Sequence, residues 1–297
     1  MNLKIWFLEI RPQFLILPVV LSFLGTSIAW WYNGYLHIGC AVLAFFGLLL
    51  AHISVNVLND YFDFKSGVDL ATKRTPFSGG SGMLPNGLLK PGQVLRFGII
   101  SFLLAAAIGI YFIFVTDWLL LPLLVVGGLC ILLYTPLILK TNWPEWSPGL
   151  GLGALPVLGA YFVQANEYIW PVVIASIPSG ILVHNLLFLN EFPDVEADIT
   201  AHRKTLPITI GQDKASIIYS ILISVMYLWI IGWVIAGEMP AYTLIALLTV
   251  PFAIKAVRGA RKYQDMNQLM PAMASNVLVV LLTQLLLGIG YILATIF

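Results

Sequence analysis

Long apolar stretches alternate with short polar stretches along the whole chain. Nine of them are apolar enough to be interpreted as membrane-spanning helices, and several approach the ~20 residues that a helix needs to cross the hydrocarbon core. Their predicted bounds are 13–32, 36–58, 95–115, 118–139, 149–165, 168–190, 215–236, 240–258 and 275–296. The stretches are continuous and lack a period of two, so a closed β-barrel is not expected. The pattern predicts an all-α integral membrane protein with nine transmembrane helices.

The composition supports this class. Hydrophobic residues make up 60% of the 297 residues and charged residues only 10%, and the mean hydropathy is +0.93. A soluble domain of this size cannot bury that much apolar surface, so the bilayer must act as the solvent. The net charge of +1 gives no reason to expect a nucleic-acid partner, and no obligate protein partner is evident.

The charged residues are distributed asymmetrically. If the N-terminus is inside, all 15 Lys and Arg residues fall on the inner side or its margin, whereas Asp117, Glu167 and Glu238 fall in outer connections. This is a positive-inside pattern, which predicts an inside N-terminus and an outside C-terminus. We expect a multi-pass protein of the cell membrane whose active site faces the cytoplasm.

Two acidic motifs end two of the apolar stretches. The first is Asn59-Asp60-Tyr61-Phe62-Asp63, closing with Asp69, and the second is Asn190-Glu191-Phe192-Pro193-Asp194, closing with Asp198, 131 residues further along the chain. Each is followed by a basic pair and a threonine. The match predicts one domain, 1–297, with two parallel four-helix repeats, about 1–140 and about 141–270, and a final helix, about 275–296. Parallel repeats can bring equivalent points together, so both motifs are expected in one cavity on the inner side.

Helical spacing brings the motif side chains together locally. Asn59 and Asp63 are one turn apart and share a face, and Asn190, Asp194 and Asp198 follow the same spacing. Pro193 removes a backbone donor, so we expect a kink or break at the second motif. Irregular backbone is tolerated in a membrane protein where it lines a cavity.

Grouped carboxylates at membrane depth indicate a function, because burying them is costly. Magnesium prefers oxygen ligands and commonly binds one or two carboxylates plus substrate phosphates, and nearby cations would neutralise the remaining phosphate charge. The motifs therefore predict a site for a magnesium-bound diphosphate. Alternatives stay open for single residues: Arg11 and Lys140 can be interfacial anchors, and a lone His52 is more often a helix–helix hydrogen bonder than a catalyst.

At this point the sequence resembles the UbiA superfamily of intramembrane prenyltransferases. The resemblance covers essentially the whole chain, including Arg11-Pro12, both aspartate motifs and the basic-Thr sequences. Within the superfamily it is similar to the dihydroxynaphthoate prenyltransferases of menaquinone synthesis, and Lys204-Thr205-Leu206 supports that branch. The 4-hydroxybenzoate enzymes usually have an aspartate where Gly67 stands. The naphthoate group often has an acidic residue where Ala154 stands.

The resemblance implies Mg²⁺-dependent transfer of a polyprenyl chain from its diphosphate to an aromatic acceptor, 1,4-dihydroxy-2-naphthoate, next to membrane lipid. It implies roles for the following residues. The metal site would be Asn59, Asp60, Asp63, Asn190, Asp194 and Asp198; the catalytic carboxylates Asp63, Asp69, Asp194 and Asp198; and the diphosphate site Arg11, Lys73, Arg74, Tyr134, Lys140 and Lys204. Asp60 and Asp69 could instead orient basic residues.

Other functions remain open from the sequence. Within the same reaction class the acceptor could be homogentisate, 4-hydroxybenzoate, a glyceryl phosphate lipid, chlorophyllide or haem. From a different class, intramembrane acids in a repeat also mark cation-coupled transporters. The acids here lie at inner helix ends rather than at the midplane, which favours the enzyme.

Overall fold

The computed structural model describes residues 2–297, and these residues form helices, turns and loops without a strand. The fourteen α-helices are α1 Leu3–Glu9, α2 Ile16–Asn33, α3 Ile38–Ser66, α4 Val68–Ala71, α5 Pro91–Val115, α6 Leu121–Leu133, α7 Trp146–Gly149, α8 Leu155–Ala165, α9 Trp170–Asn190, α10 Val195–Thr200, α11 Leu206–Thr209, α12 Gln212–Ile235, α13 Val250–Ala260 and α14 Met266–Ile296. The prediction of an all-α protein is confirmed.

Eight helical segments within residues 2–297 are long and apolar enough to cross a membrane. They are Pro12–Asn33, Ile38–Ser66, Pro91–Val115, Trp146–Ala165, Trp170–Thr200, Gln212–Ile235, Ala241–Ala260 and Met266–Ile296. The remaining predicted segment, 118–139, contains a shorter apolar helix, Trp118–Leu133. Pro136 follows in a turn, where the lack of a backbone donor prevents the helix from continuing. The count of nine is therefore not confirmed.

The core lies around α2, α8 and α9. In the Trp170–Thr200 segment, which contains α9, 72% of an 18-residue apolar stretch is buried, against 22% of such a stretch in Ile38–Ser66 and in Pro91–Val115. The main apolar cluster joins residues of α2, α8 and α9 to residues of α12 and α14. A helix that is apolar all round and mostly buried belongs in the middle of a bundle. The second motif therefore ends a central helix, whereas the first ends a helix that also faces lipid.

A glycine lets α2 and α8 approach closely. A Cβ atom added at Gly25 would lie 2.4 Å from the Val157 carbonyl oxygen and 2.7 Å from the Ala160 Cβ, whereas one added at Gly232 would have no atom within 4 Å. We predict that Gly25→Ala destabilises the protein by about 1–3 kcal/mol, since the two backbones must separate. Gly232→Ala is the matched control and should be neutral or slightly stabilising, because alanine favours the helix. Thermal unfolding in detergent measures both, and equal stability of the two variants would contradict this packing.

The connection between α4 and α5 is folded rather than extended. The segment between α4 and α5 turns repeatedly at glycines with positive φ, at 82° for Gly79, 71° for Gly80 and 76° for Gly82. Its residues Met83 and Leu84 are buried. Leu84 packs with Val57 of α3 and Val94 of α5, so this part of the segment lies against the helices instead of in solvent. The exact limits of the two sequence repeats stay a prediction.

Candidate active site

One cavity of about 160 Å³ is lined by both acidic motifs. The polar side chains that line it come from separate parts of the chain: Arg11, His52, Asn56, Asn59, Asp63, Ser78, Tyr134, Ser147, Asn190, Glu191, Asp194, Asp198, Arg203 and Thr205. The expectation that the two motifs share a cavity is confirmed. Asp60 and Asp69, although parts of the first motif, do not line it.

The first motif lies on the last turns of α3. Asn59 and Asp63 face the cavity one turn apart, as the spacing predicts, and the Asn59 amide donates a hydrogen bond to Thr135 Oγ1 at 3.0 Å. Asp60 points the other way and is 1% exposed. It accepts hydrogen bonds from the Ser81 backbone N–H at 2.8 Å and from the Arg11 guanidinium. Asp60 is therefore placed to hold Arg11 at the cavity wall.

The second motif lies across a helix break. The helix α9 ends at Asn190, a short turn spans Phe192–Asp194, and α10 begins at Val195. This is the break expected at Pro193. Asn190, Asp194 and Asp198 are therefore not on one continuous helix, yet all three line the cavity. Asp194 accepts a hydrogen bond from Ser78 Oγ at 3.2 Å. Ser78 belongs to the glycine-rich segment between α4 and α5, so this segment contacts the second motif.

Arg203 links the two motifs, and sequence reasoning missed it. Its guanidinium pairs with Asp63 and also with Asp198, whose Oδ1 lies 2.8 Å from Nη1. Burial lowers the pKa of Arg203, but the charges of Asp63 and Asp198 raise it more, and the net shift is upward. The guanidinium therefore stays charged between two buried carboxylates. The neighbouring residue Lys204, which the family resemblance placed in the diphosphate site, is exposed.

The residues predicted to bind diphosphate divide into three groups. Arg11 and Tyr134 line the cavity. Arg74 lies against the segment between α4 and α5, where it donates to the carbonyl oxygens of Gly80, at 3.2 Å, and of Ser81. The remaining cations are exposed and do not line the cavity: Lys73, Lys140 and Lys204.

Asp69 lies beside the cavity rather than in it. A Cβ atom added at Gly80 would be 3.2 Å from both Asp69 carboxylate oxygens and from Arg11 Nη2, which is a tight contact, and the φ of 71° at Gly80 also favours glycine. Burial raises the pKa of Asp69 to about 7, and the negative charges of Asp63 and Asp60 add to the effect. A carboxyl group with this pKa can exchange a proton near neutral pH.

Glu9 extends the same network to the N-terminal helix. It is fully buried, it accepts a hydrogen bond from Ser81 Oγ at 2.7 Å, and its Oε1 has no partner. Burial raises its pKa from 4.5 to about 7, and the charge of Asp60 contributes, while Ser81 and Arg11 act in the opposite direction. The folded protein therefore favours protonated Glu9.

This shift predicts a pH dependence of stability. The stabilisation from protonated Glu9 is complete below pH 4.5 and is lost as the pH rises through about 7, a contribution of about 3 kcal/mol. Glu9→Gln should flatten the fall in thermal stability between pH 5 and pH 8. Glu167→Gln, at an exposed position, is the control and should leave the fall unchanged. A Glu9→Gln profile that parallels the wild type would show that Glu9 does not titrate in this range.

The donor set of the cavity suits a hard divalent cation. Carboxylates and amide oxygens from both motifs face one space, and Asn190 Oδ1 is buried without a hydrogen-bond partner. Such an unpartnered acceptor in a buried site calls for a ligand. Within residues 2–297, no three His, Cys, Asp or Glu side chains already form a metal-binding group. Arg203 takes the position of a counter-charge between Asp63 and Asp198.

A second, apolar chamber adjoins this cavity. It has a volume of about 260 Å³ and lies between α3, α5, α6 and α8. His52 and Leu152 line both spaces, and the other residues around the chamber are apolar or glycine. The arrangement can hold an anionic group among the motifs and a hydrocarbon chain among the helices.

The fold and the two adjacent spaces define a multi-pass, all-helical membrane protein with an acidic cavity beside an apolar one. The model of the UbiA prenyltransferase family matches residues 19–281. The chain belongs to the UbiA prenyltransferase family, and it is a prenyltransferase.

Individual relatives agree with this assignment. A 1,4-dihydroxy-2-naphthoate octaprenyltransferase of Bacillus subtilis (strain 168) is 30% identical over 291 residues, covering 96% of this chain and 91% of that protein. A solved structure of a digeranylgeranylglyceryl phosphate synthase has a TM-score of 0.68 at 20% identity, covering 98% of each chain. A UbiA homolog from Archaeoglobus fulgidus bound to DMAPP and Mg²⁺ has a TM-score of 0.61 at 14% identity, covering 92% of this chain and 98% of that one. The structural similarities establish the fold.

Proposed function

We propose that this enzyme transfers a polyprenyl chain from its diphosphate to 1,4-dihydroxy-2-naphthoate in a Mg²⁺-dependent reaction. The observation that carries the proposal is the pair of adjacent spaces, one with carboxylates and arginines and one apolar, which share two lining residues. An amphiphilic diphosphate matches both at once. The name of the Bacillus relative supports the naphthoate acceptor, and the Archaeoglobus homolog bound to DMAPP and Mg²⁺ supports the cofactor.

Five motif residues would hold the metal: Asn59, Asp63, Asn190, Asp194 and Asp198. When bound, Mg²⁺ neutralises the diphosphate and stabilises the charge that develops on the leaving group. Asp60 is assigned a positioning role instead, because it faces away from the cavity and holds Arg11.

The chain's own cations then bind the substrate. Arg11 and Arg203 line the cavity from different sides, and a guanidinium can bind phosphate oxygens in a bidentate manner. As the allylic carbon–oxygen bond breaks, its electron pair leaves with the diphosphate, and both arginines stabilise the developing charge. A ring carbon of the acceptor forms the new carbon–carbon bond. It regains aromaticity by losing its proton, or its carboxyl group as CO₂.

Asp198 is our choice for the residue that receives a proton during transfer. It lines the cavity, whereas Asp69 lies behind Gly80. Asp69 instead supplies a negative counter-charge near Arg11, since both side chains lie against Gly80. Arg74 is assigned to the fold of the glycine-rich segment, since its guanidinium contacts backbone carbonyls there.

We also propose that the cavity faces the cytoplasm of a cell membrane. The support is the placement of the Lys and Arg residues on one side of the predicted topology. The substrates we expect are a polyprenyl diphosphate and an aromatic acceptor, in a lipid environment and without an obligate protein partner.

A product assay tests the proposal. Purified protein in detergent is given geranylgeranyl or longer diphosphates, with and without Mg²⁺, and naphthoate, homogentisate, 4-hydroxybenzoate or a glyceryl phosphate lipid as acceptor. Mass spectrometry should detect prenylated naphthoate only when Mg²⁺ is present. Product from another acceptor would correct the acceptor and keep the reaction. No turnover and no diphosphate binding by folded protein would overturn the reaction and point to transport.

A further inference from the structure

We propose that Nε2 of His52 accepts a hydrogen bond from a ring hydroxyl of the aromatic acceptor at the junction of the two cavities. This inference rests on the proposed function, since it names the residue that contacts the acceptor of that reaction. It gives His52 a direct contact with the substrate rather than a role in helix packing.

The hydrogen-bonding state of His52 supports the proposal. The side chain is 4% exposed, and its Nδ1 lies 2.9 Å from the carbonyl oxygen of Leu48, one turn earlier on α3. A carbonyl oxygen can only accept, so Nδ1 carries the hydrogen, and Nε2 of the neutral ring offers a lone pair. That Nε2 is buried and has no partner. Buried polar atoms are nearly always hydrogen-bonded, so an acceptor left free beside a cavity indicates a ligand that donates.

The position of His52 identifies that ligand. Among residues 2–297, only His52 and Leu152 line both the acidic cavity and the apolar chamber, and of the two His52 has the polar side chain. With the diphosphate among the motifs and the prenyl tail in the chamber, the first carbon of the tail lies between them. The ring that attacks this carbon must come to the same place. A hydroxyl group on that ring is the donor that Nε2 lacks.

The hydrogen bond would assist the reaction without a covalent step at His52. It polarises the O–H bond, so the hydroxyl oxygen donates more electron density into the ring and the ring carbon becomes a better nucleophile. The proton stays on that oxygen while the carbon–carbon bond forms and the carbon–oxygen electron pair leaves with the diphosphate. Loss of one such buried hydrogen bond corresponds to about a 10- to 100-fold fall in kcat/KM.

Three variants and two acceptors test this contact. His52→Phe keeps a planar ring and removes the acceptor atom, His52→Gln keeps an acceptor oxygen near the position of Nε2, and His37→Phe, at an exposed position, is the control. Each is assayed with 1,4-dihydroxy-2-naphthoate and with its O-methylated derivatives. We also measure the Kd of each acceptor in the presence of a non-hydrolysable prenyl thiodiphosphate. That binding measurement reports on the contact independently of turnover.

The expected result separates a substrate contact from a structural role. Wild type should discriminate against the methyl ethers, and His52→Phe should lose 10- to 100-fold with the free hydroxyls and most of that discrimination. His52→Gln should recover at least a third of wild-type activity, and the Kd of the prenyl analogue should be unchanged in all three variants. Three results would each overturn the inference. They are equal losses of activity with both acceptors, weaker binding of the prenyl analogue by His52→Phe, and a His52→Phe variant as active as wild type.

The outcome can be distinguished from failure of the proposed function. If wild type prenylates another hydroxylated ring, the comparison is repeated with that ring and its methyl ether. If His52→Phe does not fold, wild type alone still decides: equal Kd values for hydroxylated and methylated acceptors would exclude the hydrogen bond. If wild type transfers prenyl groups without any preference for the free hydroxyl, the proposed reaction is supported and the proposed contact with His52 is contradicted.

Discussion

Asp194→Asn should reduce kcat/KM by at least about 1,000-fold, which corresponds to about 4 kcal/mol of transition-state stabilisation. Asp194 lines the cavity, and its hydrogen bond from Ser78 shows that its carboxylate faces the segment between α4 and α5. Asparagine keeps the size of the side chain and the hydrogen bond but removes the charge that holds a divalent cation. The substitution therefore reduces electrostatic stabilisation of the transition state, which is usually the largest contribution to catalysis.

Glu196→Gln is the matched control for this prediction. Glu196 is two residues further along the same segment and is exposed, so its charge has no role in the cavity, and activity should stay within about 2-fold of wild type. Both variants should elute as monodisperse protein with wild-type thermal stability within a few degrees. A folded Asp194→Asn variant that retains a tenth of the wild-type activity would contradict the assignment of the second motif.

Arg203→Gln should reduce kcat/KM for the prenyl diphosphate by about 100- to 1,000-fold. The change removes a cation from the cavity wall and leaves Asp63 and Asp198 without their shared counter-charge. Breaking a buried pair from one side is costly, because a charge remains without compensation. The thermal stability should fall as well, and added Mg²⁺ should restore part of it, since the metal replaces the missing positive charge.

Lys204→Gln tests the choice between neighbouring cations. Lys204 is exposed, so we expect activity within about 3-fold of wild type. Arg203→Lys should be intermediate, because an ammonium keeps the charge but cannot bind two carboxylates in the fork geometry of a guanidinium. A large loss in Lys204→Gln together with a small loss in Arg203→Gln would show that the ligand-bound cavity uses the residue that the sequence pattern indicated.

The first motif shows how far local spacing reaches. Asn59 and Asp63 were expected on one helical face and are found there, because a residue and its fourth neighbour always share a face of an α-helix. The same rule does not predict which other parts of the protein pack against each face of the helix. Asp60 was grouped with the metal ligands, yet it faces Arg11 and Ser81 instead of the cavity.

The second motif shows a local rule and its limit together. Pro193 predicted a break, and α9 does end at Asn190. The spacing argument for Asp194 and Asp198 assumed a continuous helix, and it reached the correct residues although the helix is interrupted. The turn and the start of α10 happen to return both carboxylates to the same cavity.

The sequence by itself determined the membrane class, the helical character, the positions of the two acidic motifs and the break at the second one. Each of these follows from hydropathy over about 20 residues or from spacing within a few residues, and such local properties are set by the covalent chain. Only the tertiary structure decided that Arg203 rather than Lys204 joins the motifs, that Arg74 folds a loop, and that His52 borders both cavities. Arg203 and Asp63 are 140 residues apart, and contacts over such separations depend on how whole helices pack, which no local pattern encodes.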